Sequence, residues 1–319
     1  MTTPALPNAG QLFEDWISTR EHASYDPLSR AAAVPYRYIW KRWCDWLQEQ
    51  PGKPVEFAYL SAREFDVQQF LQHGSSPASS RKSRSAPTSP VTRQRYGRVL
   101  RELYQHAISF GHMNASNPVT DAAIGMPPTE VERGGQILPP RVFETLYLVL
   151  PTDPTPYEKR DRAIMLLLLE CALTPGELRS LKLSDVSKDT ANPGQYVLRL
   201  DGPRAAQQRD ISTTGLAGYA LHQWLVHRQV MRRSTEVIFI SEKRGAMTRR
   251  ALFGLVAKYI TLACQTVRTD VPNHLGPMVI RNNCIVRWIK SGRPVIDICR
   301  LAGFKDEKSF LRGLQIHLH

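Results

Sequence analysis

Basic side chains without acidic neighbours are the first feature of this sequence that could do chemistry. Between Asp66 and Glu102 there is no acidic residue, and the window holds seven positive charges: Arg81, Lys82, Arg84, Arg93, Arg95, Arg98 and Arg101. Guanidinium and ammonium groups neutralise phosphate oxygens, so such a window suits a surface that tracks a nucleic-acid backbone. Its serine-rich part, residues 74–90, has the composition of a flexible loop, and a solvated basic linker is the alternative interpretation.

Two later segments combine apolar helical patterns with clear helix starts and ends. Residues 161–185 read DRAIMLLLLECALTPGELRSLKLSD, an apolar stretch that passes through a turn at residues 171–174 into a second helix. Residues 278–304 contain MVIRNN, IVRWIKSG and VIDICRLAGF, in which glycines follow the helical patterns. No tyrosine follows Tyr259, so a phenolic nucleophile is excluded from the rest of the sequence.

Together these segments resemble motifs of the tyrosine recombinase (phage integrase) family. The first is similar to TGLRxSEL followed by LxxxD, and the second to HxLRH…ATxLLxxG followed by IxxLLGH. In such enzymes a tyrosine attacks a DNA phosphodiester, two arginines and a histidine or tryptophan stabilise the phosphate, and a lysine protonates the leaving oxygen. By this resemblance the first arginine falls on Thr174, the lysine on Arg204, the first histidine on Met278, the second arginine on Arg281, the histidine or tryptophan on Phe304 and the tyrosine on Gly313. The second histidine of HxLRH falls on Asn282.

The residues at these positions all disfavour binding and cleavage of a phosphodiester there. Thr174, Pro175 and Glu177 form a good helix start, with threonine as the N-cap, proline in the first turn and glutamate three residues on. Met278 and Phe304 would put apolar groups beside a phosphate and desolvate it without compensation. Without a nucleophile no covalent intermediate forms, so we expect a scaffold that does not cleave DNA.

Three arginines outside the basic window are candidates for phosphate or base contact. Arg281 is either a phosphate contact kept for binding or a structural residue paired with Glu177 or Asp185. Arg249 and Arg250 open a helix that, in the resembling folds, approaches the major groove, and a solvated helix start is the alternative. Arg204 is a further basic candidate, whereas we expect Arg287 and Lys290 to be surface charges.

Composition limits the class of protein. The formal net charge of +13 and 42% hydrophobic residues predict a globular protein with a polyanionic partner. Five cysteines, Cys44, Cys171, Cys264, Cys284 and Cys299, form no CxxC pair, which predicts reduced, buried thiols without a zinc site. We expect no cofactor, no metal and no membrane association, and a location in a bacterial-type cytoplasm or nucleoid, since neither a signal peptide nor a membrane span is evident.

The elements that must position these residues are mainly helical. Helices are predicted at 34–49, after Ser61 with a capping box to Glu64, from Thr92 to a C-terminal Gly111, at 141–150, 216–230 and 248–267, and from Arg281 onward. Two strands are predicted at 195–200 and 208–213. The sequence therefore predicts a mainly α fold with a small β-sheet. Its expected organisation is a helical core-binding domain at 1–124, a Pro- and Gly-rich linker at 125–140 and an α+β catalytic-like domain at 141–319, as the resemblance implies.

Three functions remain open at this point. The first is a DNA-binding protein of recombinase fold that acts as an accessory or regulatory factor in recombination, integration or gene control of a mobile element. Its partners would be double-stranded DNA and either an active recombinase or further copies of itself. The second is an active recombinase that uses a displaced nucleophile, with Tyr259 as the only late candidate, or a site completed by a partner. The third is a protein-interaction module in which the basic charge is incidental.

Overall fold

Two compact units make up the chain in the computed structural model, Met1–Arg133 and Gly134–His319. The structure describes residues 6–24, 28–52, 57–74, 88–128, 135–152, 155–202, 205–231, 235–242 and 245–314. Each unit has its own hydrophobic core. The expected five thiols are free and buried.

Within the described residues the first unit is helical. Its α-helices are α1 (Ala9–Glu21), α2 (Val34–Gln48), α3 (Glu64–Gln69), α4 (Pro90–Ser109) and α5 (Asp121–Ile124), with a 3-10 turn at Ala58–Ser61 and a π turn at Phe70–Gly74. Helices α1, α2 and α4 pack against one another around aromatic side chains. At their centre the Trp43 indole donates to the Tyr104 hydroxyl (2.9 Å), which in turn donates to the Tyr59 carbonyl (2.9 Å).

Two predictions for this unit are confirmed and one is wrong. The helix predicted from Thr92 is α4, and Gly111 follows its end with a φ of +72°, a conformation that glycine adopts without strain. The predicted helix at 34–49 is α2. The capping box expected between Ser61 and Glu64 does not form, because α3 begins two residues later and Asp66 accepts from the Arg63 N–H (2.8 Å).

The described part of the second unit combines helices with one three-stranded sheet. Its helices are α6 (Pro140–Leu148), α7 (Pro156–Cys171), α8 (Pro175–Ser180), α9 (Gly215–Val230), α10 (Arg249–Thr266), α11 (Pro277–Lys290), α12 (Val295–Ala302) and α13 (Glu307–Leu314). Short 3-10 turns lie at Leu183–Asp185 and Ala205–Gln207. The strands β1 (Val186–Lys188), β2 (Tyr196–Leu200) and β3 (Arg209–Ser212) pair antiparallel in chain order. Leu198 lies opposite Val186 on one side and Ile211 on the other.

Helix α7 is the centre of the second core. Its residues from Ala163 to Leu169 are all buried, and it packs against α9 and α11. Helices α11, α12 and α13 share a smaller core that includes Ile285, Trp288, Ile298 and Phe310. This arrangement brings the end of α7, the start of α8, β3 and the middle of α11 into one neighbourhood.

The predicted strands and helices of this unit are confirmed in type, with two corrections. Strand β1 was not predicted, because its three residues carry no alternating burial pattern. Helix α11 begins at Pro277 rather than at Arg281, since proline suits the first turn of a helix. The observed fold is mainly α with a small sheet, as the sequence predicts.

Candidate functional site

The candidate site starts at the turn that ends α7. Ala172 there is fully buried and has a left-handed backbone, with φ of 48° and ψ of 36°. This conformation costs an L-residue about 1–2 kcal/mol, so surrounding contacts must hold it. One of those contacts is a hydrogen bond that the Ala172 carbonyl accepts from the Arg281 guanidinium. The turn thereby joins α7 to α11.

Thr174 closes the start of α8 as the sequence predicts. Its hydroxyl accepts from the Glu177 N–H (3.2 Å), and the Glu177 carboxylate accepts from the Thr174 N–H (2.7 Å), which completes a capping box. Both groups thus satisfy backbone donors of the helix. Thr174 is uncharged and Glu177 is an anion, so neither side chain offers the positive charge that would stabilise a phosphate.

Glu177 also takes part in a buried ion pair that sequence reasoning missed. Arg209, the first residue of β3, donates from Nη1 to Glu177 Oε1 at 2.6 Å and from Nη2 to Oε2 at 3.3 Å. It donates further to the carbonyls of Leu301 (2.7 Å) and Gln207 (3.1 Å). Burial raises the pKa of Glu177, but hydrogen bonds from Arg209 and the Thr174 N–H, with the Arg209 charge, outweigh burial and leave the pKa below its usual value.

Arg281 lies at the centre of the candidate site and is only 4% exposed. Its guanidinium donates to the carbonyls of Ala172 and Ala302, and its carbon lies 5.5 Å from the centre of the Phe304 ring. Burial lowers the pKa of Arg281 to about 10, while the negative charge of Glu177 opposes the shift. The side chain therefore remains a cation at neutral pH and fastens the turn after α7 to the end of α12.

The expected alternative for Arg281 was an ion pair with Glu177 or Asp185. Among the described residues Glu177 pairs with Arg209, and Asp185 accepts from the Lys182 N–H (2.8 Å). The structural contacts of Arg281 are hence to backbone carbonyls. The charges of Glu177 and Arg209 affect the pKa of Arg281 without a hydrogen bond to it.

Among the described residues, the other family positions contribute no cation to this neighbourhood. Met278 is 43% exposed in the first turn of α11. The Asn282 amide donates to the Gln136 carbonyl (3.0 Å). Gly313 lies within α13, and Arg204 falls outside the described residues.

Met278 and Asn282 line an open cleft between α10 and α11, which we call the α10–α11 cleft. It has a volume of about 770 Å³, and its other lining residues are Gly135, Gln136, Arg250, Phe253, Gly254, Ala257, Asn273, His274, Leu275, Gly276 and Val279. The described residues that line it include the cation Arg250 and an exposed His274, and none of them is a carboxylate. This described lining therefore carries a positive charge.

Arg249 and Arg250 stand exposed at the start of α10, where Thr248 caps the helix. The Arg249 guanidinium carbon lies 5.3 Å from the centre of the Phe253 ring. Phe253 thereby supports one of the two cations while leaving it exposed. Both side chains have the exposure that contact with a polyanion needs.

The basic residues of α4 divide into exposed and engaged side chains. Arg95 and Arg98 are exposed, and Arg98 reaches the Tyr36 hydroxyl (3.3 Å) and Glu102 (3.6 Å). Arg93 is half-buried. Arg101 donates to the Val119 carbonyl (2.9 Å) and pairs with Asp121 (2.7 Å), which ties α4 to α5. Arg81, Lys82 and Arg84 lie outside the described residues.

Arg287 is not the surface charge that we expected. It is half-buried, donates to the Tyr147 hydroxyl (2.5 Å) and the Leu169 carbonyl (3.0 Å), and pairs with Glu170 at 3.1 Å. The cause is the packing of α11 against α7, which turns this position toward α6 and α7. Lys290, at the end of α11, is exposed as expected.

Tyr259 lies inside the second core. It is 2% exposed, and its hydroxyl has no hydrogen-bond partner among the described residues. Burial raises the pKa of Tyr259 to about 12. A buried phenol without a hydrogen-bond partner has neither access to a phosphodiester nor a base to activate it as a nucleophile.

Two broader findings concern metals and membranes. In the described part of the chain no group of three His, Cys, Asp or Glu side chains could hold a metal ion. None of the helices described there has the length and hydrophobicity that crossing a bilayer requires.

Comparison with known proteins decides the family. Residues 136–312, more than half of the chain, match the Phage integrase family. The chain belongs to this family. XerD, a tyrosine recombinase of Corynebacterium glutamicum, is 22% identical over 304 residues, which cover 92% of this chain and 88% of that protein. XerD of Haemophilus influenzae is 28% identical over 172 residues, 53% of each chain, and other curated relatives also align over about half of their length.

Solved structures of tyrosine recombinases share the fold. The Tn1549 transposon integrase in complex with circular intermediate DNA has a TM-score of 0.64 at 16% identity, with 96% of this chain and 95% of that chain covered. The XerH site-specific recombinase bound to its difH substrate has a TM-score of 0.61 at 15% identity, with 95% and 81% covered. At such low identity the likeness shows the two-domain fold of this integrase-family chain.

Proposed function

We propose that this integrase-family chain binds duplex DNA without cleaving it. Its role would be that of an accessory or regulatory factor in recombination, integration or gene control of a mobile element. Recombinases of the same fold are bound to DNA in their solved structures, the XerH protein to its difH substrate and the Tn1549 transposon integrase to circular intermediate DNA. We therefore propose that this chain shares their partner, DNA, but does not cleave it.

The observation that carries the proposal is the engagement of Arg281. The one clear arginine of the family motif is buried and donates to two backbone carbonyls, with Phe304 across its face. A charge-stabilising donor in a site of this kind is worth about 10²–10³ in rate, provided that it reaches the reacting oxygen. Turning Arg281 toward a phosphate would break both carbonyl contacts and release the strained turn at Ala172.

Absence of a usable nucleophile supports the same proposal. The family's tyrosine position is Gly313, which has no side chain to attack a phosphate. Tyr259, the candidate for a displaced nucleophile, is only 2% exposed, so its hydroxyl is not accessible to a phosphodiester. These properties disfavour the alternative of an active recombinase that works through Tyr259.

Binding would rest on exposed cations rather than on the former active site. Arg249 and Arg250 on α10, with Arg95 and Arg98 on α4, are exposed arginines. Arg81, Lys82, Arg84, Arg93, Arg101 and Arg204 stay part of the proposed basic surface on the strength of the sequence. Such contacts make the affinity for DNA fall steeply with salt. A plot of the logarithm of the binding constant against the logarithm of the salt concentration steepens by about 0.9 for each phosphate neutralised.

The test is binding of the purified chain to a fluorescent duplex over a salt series, with pooled genomic fragments as competitors. We expect a steep salt dependence and enrichment of particular fragments, which would also identify the DNA site. Replacing Arg249 and Arg250 by alanine should weaken binding, whereas Arg300→Ala serves as a matched control because Asp297 pairs with Arg300 at 3.6 Å. Absence of affinity for duplex DNA at low salt would overturn the proposal in favour of a protein-interaction module.

A further inference from the structure

The α10–α11 cleft has the size and the lining of a small-molecule site. Its volume of about 770 Å³ lies within the roughly 300–1,000 Å³ that such sites occupy. The apolar side chains of Phe253, Leu275 and Val279 in its lining are half-buried or buried, whereas Arg250 and His274 are exposed. The cleft is therefore apolar in its interior and polar where it meets solvent.

The walls of the cleft are held in place by contacts within the second unit. The Phe253 ring lies directly against the backbone of Gly276, where an added Cβ atom would come within 2.6 Å of the ring. The Arg249 guanidinium carbon lies 5.3 Å from the centre of the same ring. The Asn282 amide donates to the Gln136 carbonyl (3.0 Å) and holds that segment against α11. The cleft is thus formed without a ligand.

Gly254 keeps one side of the cleft open. It lies within α10, is exposed, and lines the cleft. A Cβ atom added there would meet no heavy atom of the described residues within 4 Å. Glycine inside a helix lowers stability relative to alanine, so this residue does not serve the helix itself. Its missing side chain leaves room beside the apolar lining.

The described lining combines one cation with apolar surface. Arg250 carries the positive charge, and none of the described lining residues is a carboxylate. A DNA phosphate placed against Phe253 or Met278 would lose its water without compensation, so the apolar interior does not suit the DNA backbone. The lining instead matches a ligand that carries one negative charge on an apolar body.

We propose that the α10–α11 cleft binds a small carboxylate with an apolar body, such as an aromatic acid. The apolar body lies against Phe253, Leu275 and Val279, and the carboxylate pairs with the Arg250 guanidinium. A guanidinium offers two parallel N–H donors to the two carboxylate oxygens, which fixes the orientation of the ligand. A neutral ligand loses this pairing, and an inorganic anion gains nothing from the apolar lining.

Occupation of the cleft opposes DNA binding. Arg250 is also one of the exposed arginines assigned to the proposed duplex contact, and a guanidinium paired with the carboxylate is withdrawn from a phosphate. By linkage, the carboxylate and the duplex lower the affinity of the chain for each other by the same factor. This consequence rests on the proposed DNA-binding function, whereas binding of the carboxylate does not.

The test is isothermal titration calorimetry of the full chain with cinnamate in the absence of DNA, and with cinnamamide as the neutral counterpart. We expect saturable binding of cinnamate with a dissociation constant of about 1 mM or lower, and about 10-fold weaker binding of cinnamamide. Arg250→Ala removes the cation and Gly254→Leu fills the open space. Each should raise the dissociation constant for cinnamate about 10-fold or more. Leucine is a good helix former, and thermal unfolding verifies that each variant is folded.

Lys258 supplies a matched control for each variant. It is exposed on α10 and does not line the cleft. Lys258→Ala removes the same charge as Arg250→Ala, and Lys258→Leu adds the same side chain as Gly254→Leu. Both control proteins should bind cinnamate as the native chain does.

Each outcome decides the proposal. Weaker binding of cinnamate in both cleft variants, with both controls unchanged, supports it. A native chain that does not bind cinnamate saturably, or that binds cinnamamide as tightly, overturns it, as does binding that survives either cleft variant. The duplex salt series is repeated with saturating cinnamate, and an unchanged duplex affinity would overturn the competition at Arg250. A chain that binds cinnamate but no duplex would contradict the proposed DNA-binding function alone.

Discussion

Replacing Arg209 by methionine tests whether the buried ion pair between Arg209 and Glu177 stabilises the second unit. Methionine keeps most of the volume but leaves the Glu177 carboxylate buried without its cation. The two side chains are only 5% and 7% exposed, so solvent screens the lost charge little. Removing one partner of a buried pair costs about 3–5 kcal/mol of unfolding free energy. The hydrogen bonds to the carbonyls of Leu301 and Gln207 are lost as well.

The pH dependence of the lost unfolding free energy shows whether the unpaired Glu177 carboxylate is its cause. In the native chain the pKa of Glu177 is lowered, so its stabilising contribution is present above about pH 4.5 and is lost as the pH falls through the folded pKa. In Arg209→Met burial raises the pKa of Glu177, and the variant recovers stability when acid protonates the carboxyl group. The difference in unfolding free energy between the two proteins should therefore be smaller at about pH 4 than at about pH 7.

The assay measures unfolding in urea, and pulsed hydrogen exchange serves as the probe. Peptides from residues 156–212 report on the second unit alone. Arg300→Met is the control, because its pair with Asp297 is exposed, and it should cost about 0.5 kcal/mol or less. The double variant Arg209→Met/Glu177→Gln should be about 1–3 kcal/mol more stable than the sum of the single effects predicts. A loss below about 0.5 kcal/mol in Arg209→Met, or an equal loss at both pH values, would refute the reasoning.

Three further predictions concern other positions in the second unit. Arg249→Ala/Arg250→Ala should reduce the log–log salt slope of duplex binding by about 2, with Arg300→Ala unchanged, since each phosphate contact contributes about 0.9. Tyr259→Phe should leave DNA binding intact and keep or raise the unfolding free energy by up to about 1 kcal/mol, because the removed hydroxyl is buried without a partner among the described residues; a loss above about 1 kcal/mol in urea unfolding would contradict this. Gly313→Tyr alone should give no covalent protein–DNA adduct on a nicked duplex, since the proposed positions of the first arginine and first histidine of the motif hold Thr174 and Met278; an adduct on a denaturing gel would contradict this prediction.

The helices could be predicted from the sequence because their signals are local. Thr174 with Glu177 at the start of α8, and Gly111 after α4, are read from residues within one turn of each other. The apolar stretch of α7 is visible for the same reason. Strand β1 was missed because three mostly exposed residues give no periodic pattern.

The contacts of the candidate site could not be predicted in this way. Arg281 binds the carbonyls of Ala172 and Ala302, 109 and 21 residues away, and a backbone carbonyl has no signature in the sequence. Arg209 in β3 and Glu177 in α8 are 32 residues apart, so their contact depends on the tertiary fold. Residue types at the family positions could be read from the motif, whereas their partners required the fold.

The most direct test of the central claim is retention of DNA by the tagged chain before and after denaturation. Pooled genomic fragments and nicked duplexes are captured on the immobilised protein at low salt, and the bound DNA is then released with sodium dodecyl sulfate. If binding is non-covalent, as we propose, fragments are captured in the native state and detergent releases all of them. DNA that stays attached to the denatured protein would show a covalent linkage and therefore strand cleavage, and failure to capture DNA at all would contradict the binding function.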